Sequence, residues 1–195
     1  MRTDCTEINA VLLTHEHSDH TAGLDDIRPF YFQQGKISFF AHKRVFENLK
    51  QRFSYIFETV NKYPGAPTID EIEIDKNTTF PLGDKNIIPI EAFHGVLPVL
   101  GFKIDNFAYL TDVKTIEKRE IEKLKKIEVL VINALRYEKH HSHLNLAEAL
   151  ELIEEIKPKK TYLTHISHVL GFHEEVEKTL PKNVFLAYDT LKINL

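Results

Sequence analysis

The segment Thr14-His15-Glu16-His17-Ser18-Asp19-His20 restricts this chain more than any other stretch of it. Three histidines and an aspartate fall within six residues, directly after the apolar run INAVLL at residues 8–13. An apolar run of that length suits a buried strand, so the cluster sits where a strand gives out. Polar side chains crowded at such a place need partners if they are buried. Imidazoles and a carboxylate together make a normal ligand set for zinc, manganese or iron. Sharing the four groups between two cations also relieves the crowding of the histidines. The chain holds eleven histidines in 195 residues, and they are clustered.

Composition narrows the classes. The length fits one domain, taken as residues 1–195. A single cysteine, Cys5, leaves no internal disulfide framework and no thiolate metal cage. The start MRTDCTEINA has no signal-peptide core, and the sequence has no apolar run of membrane-spanning length. A cytoplasmic protein with no membrane partner is expected. The formal charge of −4 does not favour a nucleic-acid partner, although a local basic patch fits within such a total.

The rest of the chain reads as alternating strands and helices. A short helix is expected from Ala22, a strand over 37–41, and a helix over 43–57 with Val45, Phe46, Leu49, Phe53, Ile56 and Phe57 on one face. Strands follow at 69–74, 86–92, 99–104 and 107–111, with a tight turn at Asp105-Asn106. A charged amphipathic helix is expected over 115–126 and a strand beginning the run 127–135. Asn145 and Glu148 have the spacing of a capping box, ahead of the stripe Leu146, Ala149, Leu150, Ile153 and Ile156. A strand at 160–164, a helix near 173–180, and strands at 184–188 and 190–194 complete an α/β pattern.

Residues 14–20, with the strand before them, resemble the HxHxDH motif of the metallo-β-lactamase superfamily. The resemblance implies an αββα sandwich and further ligands at later strand ends. His94 follows IIPIEAF, Asp112 follows FAYLT and His165 follows TYLT, so it extends over nearly the whole chain. It implies that His15, His17 and His94 hold one metal ion, that Asp19, His20 and His165 hold the other, and that Asp112 bridges them. Two divalent cations, zinc or manganese, are the expected cofactors. In the phosphodiesterase branch a histidine just before a helix acts as general acid, and His143 matches it best. Asp19 and His143 are thus the expected catalytic residues. His140 and His141 are read as exposed, and His42 and His173 as helix-start residues. His168 is read as either a helper of a ligand or a helix-face residue.

The segments LTHEHSDHTAGLDDIRPF, PVLGFKI ahead of FAYLTD, and LTHISH resemble the bacterial branch of cyclic-phosphate phosphodiesterases, which is similar to tRNase Z in its active site. This implies hydrolysis of a small cyclic or nucleotide-like phosphodiester by a water activated between two metals. An RNA endonuclease of the tRNase Z kind, a thioester or lactam hydrolase, and an inactive metal-binding fragment are the alternatives. The superfamily usually places a few strands before the motif strand, and here seven residues precede it. The expectation is therefore an N-terminally shortened fold, whose uncovered sheet edge favours a homo-oligomer.

Overall fold

Short apolar runs separated by polar turns become strands here, and the amphipathic segments become the helices that cross between them. The structure is a computed structural model and describes residues 5–195. These divide into two compact units, one running through Thr78 and the other spanning Thr79–Leu195.

The first unit contains β1 (Ala10–Leu12), α1 (Ser18–Thr21), a 3-10 segment (Ala22–Ile27), α2 (Arg28–Gln34), β2 (Ile37–Ala41), α3 (Lys43–Arg52), α4 (Ser54–Phe57) and β3 (Ile69–Glu73). Its strands form a parallel sheet in the order β1-β2-β3, with Ala10 opposite Ser38 and Ile37 opposite Ile69. Ile37, Phe39, Phe46, Leu49 and Ile56 are fully buried in its core. Each contributes on the order of 1.5–3 kcal/mol through its burial. The helix expected over 43–57 is broken at Phe53, whose φ of −124° and ψ of 41° end α3 and start α4. The apolar face continues past the break, which is why periodicity alone reads one helix. His42 caps α3, its Nδ1 accepting the Arg44 amide at 3.2 Å, as its place at a helix start suggests.

The second unit contains β4 (Phe80–Leu82), β5 (Lys85–His94), β6 (Leu97–Ile104), β7 (Phe107–Tyr109), β8 (Thr115–Ile116), α5 (Lys118–Lys123), β9 (Val129–Asn133), α6 (Leu146–Ile156), β10 (Lys160–Thr164), a 3-10 turn (His168–Leu170), α7 (His173–Glu177) and β11 (Val184–Leu186). The sheet order is β11-β10-β9-β7-β6-β5-β4, with β8 alongside β5. The strands from β4 to β7 are antiparallel neighbours joined by tight turns, and β7, β9, β10 and β11 run parallel. Parallel neighbours need a crossover, and α5, α6 and α7 lie on the three connections. This brings the carboxyl ends of β7, β9 and β10 to one edge of the sheet.

Two glycines shape this unit. Gly95 turns β5 into β6 at a φ of 63°, which L side chains rarely adopt, and an added Cβ would come within 3.4 Å of Ser142. Gly101 leaves no room for a methyl group: a Cβ there would enter the Leu110 side chain and lie 2.8 Å from the Tyr109 carbonyl oxygen. The close approach of β6 and β7 depends on it.

The α6 capping box forms as the sequence suggests: Asn145 Oδ1 accepts the Glu148 amide at 2.9 Å, and Glu148 Oε2 accepts the Asn145 amide at 3.0 Å. Two other expectations are corrected. Residues 115–126 begin as the strand β8, so the helix is confined to Lys118–Lys123. Residues 190–194 are not a strand, because Thr190 takes a φ of 72° and the Leu191 amide turns back to the Tyr188 carbonyl at 3.1 Å. Among the described residues, no helix is long and apolar enough to cross a membrane.

Candidate metal centre

In the first unit, the histidine cluster follows β1 and enters α1. His15 is fully buried, and its Nδ1 lies 3.0 Å from the Thr14 hydroxyl. The His15 ring lies 4.6 Å from that of His17 and 4.3 Å from that of His20. His20 Nε2 lies 3.2 Å from Asp19 Oδ2, and the Asp19 side chain is open to solvent. Four of the expected ligands are thus gathered within one turn.

The loop is held by α3. The Arg52 guanidinium donates to the Glu16 carbonyl and to Thr21 Oγ1, both at 2.9 Å, and Thr21 Oγ1 donates to the His17 carbonyl at 2.8 Å. Glu16 turns away from the histidines to pair with Arg44 at 2.9 Å. Arg44 and Arg52 therefore fix the backbone that carries the cluster.

In the second unit, His94 is the last residue of β5, Asp112 follows β7, and His165 is the first residue after β10. His143 lies in the loop between β9 and α6. Asp112 Oδ1 lies 3.4 Å from His143 Nδ1, 3.4 Å from His165 Nε2 and 4.0 Å from His94 Nε2. Thr111 Oγ1 donates to the other carboxylate oxygen at 2.9 Å. His94 Nδ1 lies 2.8 Å from the Ser142 carbonyl, which accepts its proton and leaves Nε2 as the bare nitrogen facing Asp112. One carboxylate ringed by three imidazoles is a donor set that fits a divalent cation. The ligand atoms of His94, Asp112 and His143 all lie within 4.8 Å of one another.

The backbone is strained at two of these residues. Asp112 has a φ of 58° and His165 a φ of 52°, in the left-handed region that non-glycine residues seldom occupy. Asn133, fully buried at the end of β9, offsets that cost beside Asp112. Its Oδ1 accepts the Val113 amide at 2.8 Å and its Nδ2 donates to the Val113 carbonyl at 3.0 Å. The residue after Asp112 is thereby clamped on both backbone groups. Sequence reasoning passed over Asn133; the available signal was a polar residue closing the otherwise apolar strand VLVIN.

His143 is buried, with ring centroids 4.4 Å from His94 and 4.8 Å from His165. Burial pushes its pKa down to about 4; the Asp112 carboxylate opposes this, while His94, His165 and His140 reinforce it. The imidazole is therefore neutral at pH 7 in the protein by itself. His140 is half-buried rather than exposed, 5.0 Å from the His143 ring, with its Nδ1 accepting the Ser142 amide at 3.3 Å. His141 and His168 are exposed. His173 opens α7 and pairs with Glu177 at 2.7 Å, in keeping with a helix-start role.

The chain is similar to several known proteins. The family model of the β-lactamase superfamily domain matches residues 1–166. A solved structure described as a new diphosphatase from the PhnP family is 33% identical, with a TM-score of 0.89 over 98% of this chain and 72% of that one. Zinc-bound PqqB from Methylobacterium extorquens (15% identity, TM-score 0.70, 95% of this chain and 71% of that one) shares the fold. So does the short form of human tRNase Z (18%, TM-score 0.68, 97% and 78%). A Porphyromonas gingivalis protein named octanoyltransferase is 42% identical over 130 residues, 67% of this chain. The chain spans about a quarter, 26%, of the length of that curated relative. The α/β architecture is that of the metallo-β-lactamase fold, and the chain, similar to a PhnP-family protein, belongs to the metallo-β-lactamase superfamily.

Proposed function

We propose that the chain is a metal-dependent hydrolase of phosphoric esters or anhydrides. The observation that carries this reading is the convergence of three imidazoles on the one buried carboxylate of Asp112. The similarity to a PhnP-family diphosphatase supports a phosphorus centre as the site of attack. In this reading His15, His17 and His94 would hold one divalent cation and Asp19, His20 and His165 the other, with Asp112 serving both; zinc and manganese both suit such ligands. Cations held there would supply Lewis acidity toward the substrate oxygen and would lower the pKa of a bound water.

The chain's own residues do the positioning. The Ser142 carbonyl orients the ring of His94, and Thr111 and Asn133 hold Asp112 and its neighbour in place. The exposed carboxylate of Asp19 is the ligand also placed to meet the incoming water. His143 delivers the leaving-group proton. Burial lowers its pKa while the Asp112 carboxylate, and the negative charge of a bound phosphate, favour the protonated form that can donate. The substrate is a small phosphodiester or diphosphate ester.

Hydrolysis of bis-p-nitrophenyl phosphate with zinc or manganese added tests the reading: turnover that chelation abolishes is expected, and turnover indifferent to chelator overturns it. His143→Ala is expected to lower turnover of an alkyl phosphodiester by roughly 10²–10⁴-fold, the usual range for a positioned acid. The loss on p-nitrophenolate, a good leaving group, should be much smaller. Equal losses on both substrates would remove His143 from that role.

A further inference from the structure

His143 sits on the connection between β9 and α6, residues 134–145, so its place depends on what holds that stretch of chain. Connections between elements are the mobile part of most folds, and a free loop would let the imidazole wander. Here the backbone is pinned beside it. The Leu144 amide donates to the Val113 carbonyl at 2.8 Å, and the Leu135 amide donates to the Leu144 carbonyl at 3.0 Å. The His143 ring then faces Asp112, with Nδ1 3.4 Å from Oδ1.

A second tie is made by side chains. Lys114, two residues past Asp112, donates from Nζ to both carboxylate oxygens of Glu148 at 2.9 Å. The two side chains are 20% and 26% exposed, so water and salt screen this pair far less than an ion pair on the open surface. Glu148 needs no lysine to cap α6. Its Oε2 already accepts the amide of Asn145, two residues past His143, at 3.0 Å, and Asn145 Nδ2 donates onward to the Tyr137 carbonyl at 2.8 Å. Lys114 is itself fixed through its backbone: its amide donates at 2.7 Å to the carbonyl of Phe93, the residue before His94. The pair therefore joins the strand ends that carry His94 and Asp112 to the loop and helix start that carry His143.

We propose that Lys114 and Glu148 are positioning residues for proton delivery. Their ion pair latches the loop of His143 to the strand end of Asp112, and so holds the imidazole where the leaving group can take its proton. The inference rests on the reading of His143 as the acid. A positioned group loses its advantage quickly when displaced, since a misplacement of about 1 Å can cost on the order of 10²-fold. The loss falls on leaving groups that need the proton.

The test compares bis-p-nitrophenyl phosphate with diphenyl phosphate, a related diester whose phenolate leaves less readily. Both are assayed with metal-loaded wild type, His143→Ala, Lys114→Met, Lys114→Arg and Glu148→Gln. Lys114→Met is expected to lower kcat for diphenyl phosphate by roughly tenfold to hundredfold with KM little changed, and to cost much less on bis-p-nitrophenyl phosphate. Glu148→Gln keeps an acceptor for the Asn145 amide and should show the same dependence on leaving group; it carries the test if Lys114→Met does not fold. Lys114→Arg can still donate two hydrogen bonds to the carboxylate and should recover part of the loss. Equal losses on both substrates, or none on either, overturn the latch, and unequal losses in His143→Ala would then leave the acid reading standing. Equal losses in His143→Ala overturn the acid reading and the latch with it.

Discussion

Replacing Asp112 by Asn is expected to cost the protein its bound metal and at least a hundredfold of its turnover, while leaving its fold in place. The carboxylate is almost fully buried, and three imidazole nitrogens lie within 4.0 Å of its Oδ1. An amide of the same shape keeps the size, and asparagine tolerates the φ of 58° better than most residues. What it removes is the negative charge that would sit between two cations, so their mutual repulsion is no longer offset. Changes to groups that merely orient ligands typically cost about 10–100-fold, and loss of a ligand should exceed that. Metal per chain and turnover are the measurements, with the melting temperature of the chelated protein as the control for folding. Turnover within tenfold of wild type would mean that Asp112 is no ligand.

Asn133→Ala should be the most damaging single change outside the expected ligands. It removes two buried hydrogen bonds and strands the Val113 amide, since the Val113 carbonyl still accepts from Leu144 while its N–H keeps no partner. An unsatisfied buried group costs about 1–3 kcal/mol, and with the second bond the total is about 2–4 kcal/mol. For a chain of this size that corresponds to a fall in melting temperature of roughly 5–15 °C. The clamp also positions Asp112, so metal affinity should weaken by about 10–100-fold. Thermal unfolding with and without metal separates the two effects. A melting temperature within two degrees or so of wild type in both states would show that Val113 needs no clamp.

Much of the centre was legible in the sequence because strand ends announce themselves. Apolar runs stop abruptly at His15, His94, Asp112 and His165, and a polar residue there has its side chain where loops begin. The α6 cap was legible for the same reason: Asn145 and Glu148 act locally, through hydrogen bonds three residues apart. Contacts over long separations were not legible. Asn133 acts on Val113, twenty positions earlier, and nothing in VLVIN says which backbone it meets. Phe53 ends a helix although its side chain fits the apolar face, since the backbone turn and the hydrophobic pattern are independent there. The segment 190–194 has strand-like alternation, but Thr190 turns the chain away before it can pair.

Metal content decides the central claim most directly. The chain should be loaded with zinc or with manganese, passed through a desalting column, and assayed by elemental analysis and for hydrolysis of bis-p-nitrophenyl phosphate. Two divalent ions per chain, lost together with turnover on chelation, is the result this account predicts. Less than one ion per chain and no turnover would contradict it, and the histidines around Asp112 would then have to be explained without a metal.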